Sequence, residues 1–307
     1  MTEYIISFIE AMIRMSVPLT FAALGEVVCE RSGIINIGIE GSLLSGAFFG
    51  YLTTYHSGSL ILGFLAGIAA GIVINLIHAV LSIYLCQDQT VCGVALNILS
   101  LGFITFLFTL SESSAGTESI NTLGKISIPG LSSIPIFGRI LFQNDLIVYL
   151  MFVLIILLMF FFNKTFWGLS LDAVGENPQA ADTAGISVFS WRYIAEIFCG
   201  AMCGIGGAYL TLVQVGRYTN NVTSGRGYIA LAIVVFGRRS PVGVFGAALF
   251  FGAVNALQFR LQSMGVPLPT QFLTGLPYLM TVFALLITAG KGTDPESLSK
   301  PYLRNMR

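Results

Sequence analysis

The chain has 307 residues, of which 55% are hydrophobic and 10% charged, and its formal net charge is zero. Soluble domains carry roughly 25% charged residues, so there are too few polar groups here to clothe a body of this size in water, and lipid must cover much of its exterior. The balanced charge leaves no basic footprint for nucleic acid, and the 34 glycines fit a helical membrane protein, where small residues let helices approach closely.

A membrane-spanning helix needs about 20 mostly apolar residues, because uncovered backbone cannot face lipid. Taken in order, such runs lie at 5–24, 34–54, 59–85, 91–110, 145–162, 192–213, 224–237, 242–261 and 271–289. The expected fold is all-α: a single polytopic transmembrane domain over residues 1–307 with about nine spans, eight or ten being the alternatives. The first run holds Glu10 and Arg14 and lacks a basic leader ahead of a small-residue cleavage site, so it is expected as a span and not as a cleaved signal. The region 24–40 is polar and the run 224–237 is short, and either could be a half-helix or a re-entrant segment. Gly46-Ala-Phe-Phe-Gly50 and Gly246-Ala-Ala-Leu-Phe-Phe-Gly252 follow Gly-rich polar stretches. This is a weak internal repeat, and in secondary transporters repeat interfaces often hold the transport site.

Lysine and arginine placement sets the orientation. With the C-terminus in the cytoplasm, the inside connections carry Arg31, Lys164, Arg192, Arg238, Arg239, Lys291, Lys300, Arg304 and Arg307, and the outside ones carry Lys125, Arg139, Arg217 and Arg226. Nine against four favours a cytoplasmic C-terminus, and an odd number of spans then puts the N-terminus outside. Two long connections remain. Residues 111–144 are polar and expected outside, as a surface loop or as a lid or docking surface for an external partner. Residues 163–191 form the long inside connection.

The inside connection carries a short-helix signal. Asn177 can cap the orphan amides, Pro178 suits the first helical position, and Gly185 supplies a left-handed exit after about two turns. A helix this short is marginal alone, so it should lean on something. Ala180, Ala181 and Ala184 give it a small-residue face that either slots into another protein or packs as an ordinary loop.

Val174-Gly-Glu-Asn-Pro-Gln-Ala-Ala-Asp-Thr-Ala-Gly185 resembles the cytoplasmic coupling loop of ABC-importer permeases of the branched-chain amino acid, simple sugar and nucleoside group. Glu30-Arg-Ser-Gly-Ile-Ile-Asn-Ile-Gly-Ile-Glu-Gly41 resembles a segment near the N-terminus of the nucleoside and simple-sugar branch. Ser224-Gly-Arg-Gly-Tyr-Ile-Ala-Leu-Ala-Ile-Val-Val-Phe-Gly237, followed by Pro241 and Gly243, resembles its late short span and turn. The resemblance covers roughly residues 20–290. It implies a permease subunit in a bacterial inner membrane, working with an ATP-binding subunit, a second permease that is commonly a different chain, and an external solute-binding lipoprotein. On this reading Gly175, Glu176, Asn177, Pro178, Ala181 and Gly185 couple the permease to the ATPase. No Gly-x-x-x-x-Gly-Lys-Ser/Thr pattern occurs in the chain, so ATP and Mg are expected on the partner and no cofactor or metal on this subunit.

Polar groups inside apolar spans tend to line interior paths. Asn36 and Glu40 lie four apart and share a face if helical; with Asn97 and Ser224 they are the candidates for the solute pathway. Asn75 and His78, and Asn255 and Gln258, are spaced for hydrogen bonds between helices. Arg226 is expected as an anchor, and Glu26, Glu30 and Arg31 at the inner boundary. Of the five cysteines, Cys199 and Cys203 share a helix face among small residues, which reads as packing and not as a metal or redox pair. The resemblance implies a nucleoside as the solute, with riboflavin or a simple sugar as alternatives. An ion-coupled secondary transporter is a rival class, but no aspartate falls well inside a span. An intramembrane enzyme is another, but neither His56 nor His78 has a nucleophile or metal cluster beside it.

Overall fold

The computed structural model describes residues 2–115, 118–127, 132, 137–265, 269–288 and 294–304. The helices are α1 (Thr2–Arg31), α2 (Ile39–Ser57), α3 (Leu60–Ala79), α4 (Gln89–Ala115), α5 (Phe137–Phe142), α6 (Leu146–Lys164), α7 (Phe166–Glu176), α8 (Pro178–Thr183), α9 (Val188–Tyr209), α10 (Arg226–Phe236), α11 (Pro241–Ser263) and α12 (Thr270–Thr288). Helices α3 and α9 each run on into a π turn, at Val80–Tyr84 and Leu210–Val215. Among the described residues one antiparallel pair of two-residue strands, β1 (Ile126–Ser127) and β2 (Gln143–Asn144), joins the middle of the 111–144 connection to its end.

Six of the described helices are long and apolar enough to cross a membrane: α1, α3 with its π turn, α4, α6, α9 with its π turn, and α11. The runs at 34–54, 224–237 and 271–289 also hold helices, namely α2, α10 and α12. Of these, α10 has 11 residues and spans about 16 Å, half a bilayer core. The polar region 24–40 is helical as far as Arg31, and its break is confined to residues 32–38. The 111–144 connection starts later than its composition indicates, because α4 continues to Ala115.

Helix directions follow from paired contacts. Arg14 meets Val213 and Gln214 while Gly25 lies against Cys199, so α1 and α9 are antiparallel. Gly252 packs on Met12 and Ser16, and Arg260 donates to the Tyr4 carbonyl at 3.0 Å, so α11 also runs against α1. At the centre α2, α3 and α9 meet backbone to backbone. A Cβ on Gly46 would stand 2.7 Å from the Gly204 carbonyl, one on Gly67 2.9 Å from that of Gly46, and one on Gly200 2.7 Å from that of Gly71. No side chain larger than hydrogen fits at such a seam.

The bundle thus has two ends. The N-terminal end of α1 is covered by the 118–127 segment and α5: Lys125 lies 3.5 Å from Glu10 and Arg139 2.7 Å from Glu3. The C-terminal end of α1 meets α7, through the ion pair of Arg31 with Asp172. The two long connections therefore cap opposite ends of one helix. A proline inside α1, Pro18, cannot bond the carbonyl of Arg14 one turn back. The Gln214 side chain donates to that carbonyl instead, at 2.6 Å.

Candidate functional site

Residues 32–38 are non-helical and mostly buried, so their polar backbone must find partners inside the protein. Side chains supply them. The Ile35 N–H donates to Gln89 Oε1 at 2.8 Å, the Asn36 N–H to Glu26 Oε1 at 2.8 Å, and the Gly38 N–H to Asn36 Oδ1 at 2.8 Å. Asn97 Nδ2 donates to the Ile37 carbonyl and Asn97 Oδ1 accepts from the Gly41 N–H, both at 2.8 Å. Behind them Glu196 joins three groups: it accepts from Asn36 Nδ2 at 2.9 Å and Asn75 Nδ2 at 3.1 Å, and it lies 2.7 Å from His78 Nδ1. The expected helix-to-helix role of Asn75 and His78 is what the geometry contains. Glu196 and Gln89 escaped the sequence reading because neither falls in a motif, although a glutamate within an apolar run is itself a signal.

A second break lies between α9 and α10. Asn221, Ser224 and Gly225 have φ of +55°, +44° and +76°, and the chain turns there to start α10 inside the protein. Glu40, near the start of α2, receives this turn. Its Oε1 accepts from the Thr223 hydroxyl at 2.6 Å and the Gly225 N–H at 2.8 Å, and its Oε2 accepts from the Gly227 N–H at 2.6 Å. A carboxylate is well placed at a helix start, where unpaired N–H groups and the helix dipole both favour negative charge.

Of the four pathway candidates, Asn36, Glu40 and Asn97 spend their polar atoms on these breaks. Ser224 borders a cleft. This cavity, about 440 Å³, is walled by the 215–226 turn, by Asn255, Gln258, Phe259 and Gln262 of α11, and by Thr274, Pro277 and Tyr278 of α12. The Ser224 hydroxyl donates to the Asn221 carbonyl at 2.9 Å, and the Ser224 carbonyl accepts from the Tyr278 hydroxyl. Asn255 and Gln258, expected to bond between helices, line this cleft instead; Asn255 Nδ2 donates within its own helix, to the Phe251 carbonyl at 3.0 Å. Arg226, expected as an interfacial or inter-helix anchor, bonds within its own turn and lines this cleft: Nη1 donates to the Val222 carbonyl at 2.7 Å and the Thr223 carbonyl at 3.2 Å.

At the C-terminal end of α1, the 163–191 connection forms α7 and α8. Asn177 Oδ1 accepts from the Ala180 N–H at 3.0 Å, Pro178 opens α8, and Gly185 leaves it with φ +84°. The small-residue face is divided. Ala181 is buried in a cluster with Val174, Val188 and Tyr302, whereas Ala180 and Ala184 are exposed. Pro178 and Gly175 are buried as well, while Glu176, Asn177 and Gly185 face outward. The cover over the inner face is the chain's own tail, residues 294–304. The Ser297 N–H donates to the Gly175 carbonyl at 3.0 Å, the Ser299 N–H to the Gly33 carbonyl at 3.1 Å, and Arg192 Nη1 to the Lys300 carbonyl at 3.3 Å. Arg239 completes the strap by pairing with Glu30 of α1 and with Asp294, the latter at 2.5 Å. Burial and the neighbouring Asp182 carboxylate push the Tyr302 phenol above its ordinary pKa.

All five cysteines are free thiols. Cys199 and Cys203 are buried, and Glu26, Cys29 and Cys199 bring donor atoms within 4.8 Å of one another, a spacing that could hold a metal. The Cys199 thiol donates to Glu26 Oε2 at 3.7 Å, so within the packed interface of α1 and α9 the group already bonds to itself.

Residues 8–286 match the family model described as the permease component of branched-chain amino acid transport systems. The chain belongs to this permease family. Over 97% of both chains it is 38% identical to the guanosine ABC transporter permease protein NupQ of Bacillus subtilis. It is 34% identical to the nucleoside ABC transporter permease protein NupC of Lactococcus lactis, over 96% of both chains. It is also 34% identical to the putative glucose ABC transporter permease protein TsgC13 of Haloferax volcanii, over 97% of this chain and 98% of that one. As a permease component this protein is a multi-pass membrane subunit of an ABC importer and not itself an enzyme, and an ATP-hydrolysing partner drives it.

Proposed function

We propose that the permease carries nucleosides into the cell. The observation that supports this most is the near full-length identity to permeases named for guanosine and for nucleosides, joined to a cleft lined with amides and aromatic rings and not with paired charges. A simple sugar is the second reading, since a permease named for glucose is equally similar to this chain as the second of those relatives.

In this reading the subunit sits in a bacterial inner membrane with its C-terminus in the cytoplasm, and its runs make about nine passes including the half-length α10. It pairs with a second, different permease, and a lipoprotein delivers the solute at the end covered by the 118–127 segment. The exposed residues of α8 and its flanks, Glu176, Asn177 and Gly185 among them, meet the ATPase, which binds ATP and Mg. Asn36, Glu40 and Asn97 act on the pathway by holding the two helix breaks that move between states, and Ser224 borders the solute. Closure of the ATPase pulls on α8, and the tail carries that displacement to Gly33, in the first break, and to Arg239, at the far end of α10 from the second. A conformational change of this kind requires the ATPase to hold the two states with different affinity.

The test is reconstitution of the permease, purified with whatever copurifies from its native membrane, in liposomes. ATP-dependent uptake of labelled guanosine that unlabelled nucleosides compete for, and glucose does not, is the expected result. Uptake of glucose alone would move the assignment to sugars. Uptake without any ATPase in the preparation would overturn the importer reading altogether.

A further inference from the structure

We propose that the cleft between α10, α11 and α12 is the solute's resting place in transit, where Asn255, Gln258 and Gln262 read the edge of a base and Phe259 and Tyr278 border its ring. This rests on the nucleoside reading and adds to it the residues and the chemical class: an uncharged nucleoside, not a nucleotide.

Asn255, Gln258 and Gln262 fall at i, i+3 and i+7, so they form one stripe down the face of α11 that walls the cleft. Gln258 is 8% exposed, yet among the described residues its amide has no hydrogen-bond partner, and the same holds for the amide of Gln262. Asn255 spends its Nδ2 on its own helix, but Gln258 and Gln262 line the cavity with amides whose donors and acceptors a ligand can take up. A carboxamide offers one donor and one acceptor side by side, which is the pattern that pairs with the edge of a purine. The rings of Phe259 and Tyr278 stand on the same walls, and aromatic faces accept a flat heterocycle by stacking.

Charge selects the class. The cation on the wall, Arg226, has its Nη1 committed to two backbone carbonyls. The carboxylate of Glu40 is occupied by Thr223, Gly225 and Gly227. Glu40, held by the amides on either side of Arg226, sets its negative charge close to that cation, so the two charges offset each other and little net positive charge is left to hold a phosphate. Its volume of about 440 Å³ falls within the usual range for small-molecule pockets, roughly 300–1,000 Å³.

The experiment uses the whole reconstituted complex and two readouts. Irradiation with 8-azidoguanosine, followed by peptide mapping, is expected to label residues within 255–262 or 274–278, and excess guanosine is expected to suppress the labelling. Gln258→Leu is expected to lower guanosine uptake about tenfold, and Gln258→Glu to shift the guanosine-to-adenosine uptake ratio at least threefold, a change that a loosened fold alone would not produce. Labelling confined to other helices, or an unchanged ratio in both variants, overturns the assignment while leaving nucleoside import standing. A wild-type complex that moves sugar and no nucleoside removes the reading and the assignment together.

Discussion

Glu40 accepts the Gly227 amide at 2.6 Å, and this one bond joins the starts of two helices, α2 and α10, that both begin inside the protein. The same carboxylate takes the Thr223 hydroxyl and the Gly225 amide. The non-helical turn before α10 is therefore pinned to a side chain two residues beyond the other break, at 32–38. A hydrogen bond to a charged group contributes about 1.5–3 kcal/mol, and a donor left buried and unpaired costs about 1–3. Glu40→Gln keeps the shape but replaces one acceptor oxygen by a donor nitrogen. It is expected to lower the thermal midpoint in detergent clearly and to reduce uptake at least tenfold. Wild-type melting and uptake in Glu40→Gln would show that the carboxylate is dispensable.

Gln214 repairs the defect that Pro18 makes in α1. Replacing it with leucine leaves the part-buried Arg14 carbonyl without its donor, a loss of roughly 1 kcal/mol, up to about 3 if no water takes its place. The double change Pro18→Ala with Gln214→Leu restores the helical N–H and should recover most of that stability. Melting curves of the two variants decide it; equal midpoints would mean the pairing is incidental.

The helices and the caps of α8 were legible in the residues, because apolar run length, Asn177, Pro178 and Gly185 are local signals. Which polar residues face a cavity was not. Asn36 and Asn255 both sit in apolar runs and look alike there, yet Asn36 serves the buried backbone of residues 32–38 while Asn255 lines the cleft. The difference is tertiary: it depends on which chain segment is left without backbone partners once the bundle closes. The tail was invisible for the same reason, since Ser297 and Tyr302 acquire their roles only by lying on α7 and α8.

The exposed edge of the α7–α8 connection carries the coupling prediction. Glu176→Ala with Gly185→Ala removes an outward-facing carboxylate and forces a side chain into φ +84°, which costs about 1–2 kcal/mol. Nucleoside-stimulated ATPase activity of the complex is expected to fall at least fivefold. Activity equal to wild type would place the contact with the ATPase elsewhere.

The tail yields a prediction of its own. Tyr302 is buried against Val174, Ala181 and Val188, and its ring lies 5.6 Å from that of Phe189. Tyr302→Ala opens a cavity in a cluster this small, with a local loss of roughly 3 kcal/mol or more. Faster amide hydrogen exchange is expected in residues 174–188 and also in 32–38, since Ser299 and Arg192 link the tail to that segment. Acceleration limited to the tail itself would show that it transmits nothing.

The glycine seam among α2, α3 and α9 bears on how such a protein can move. Side chains that interdigitate can swap rotamers and slide, but carbonyls resting on glycine Cα atoms have no rotamers to exchange. These three helices therefore travel as one slab. In the import reading proposed above, the hinge lines fall at its borders, where the chain is already unwound at 32–38 and 216–225.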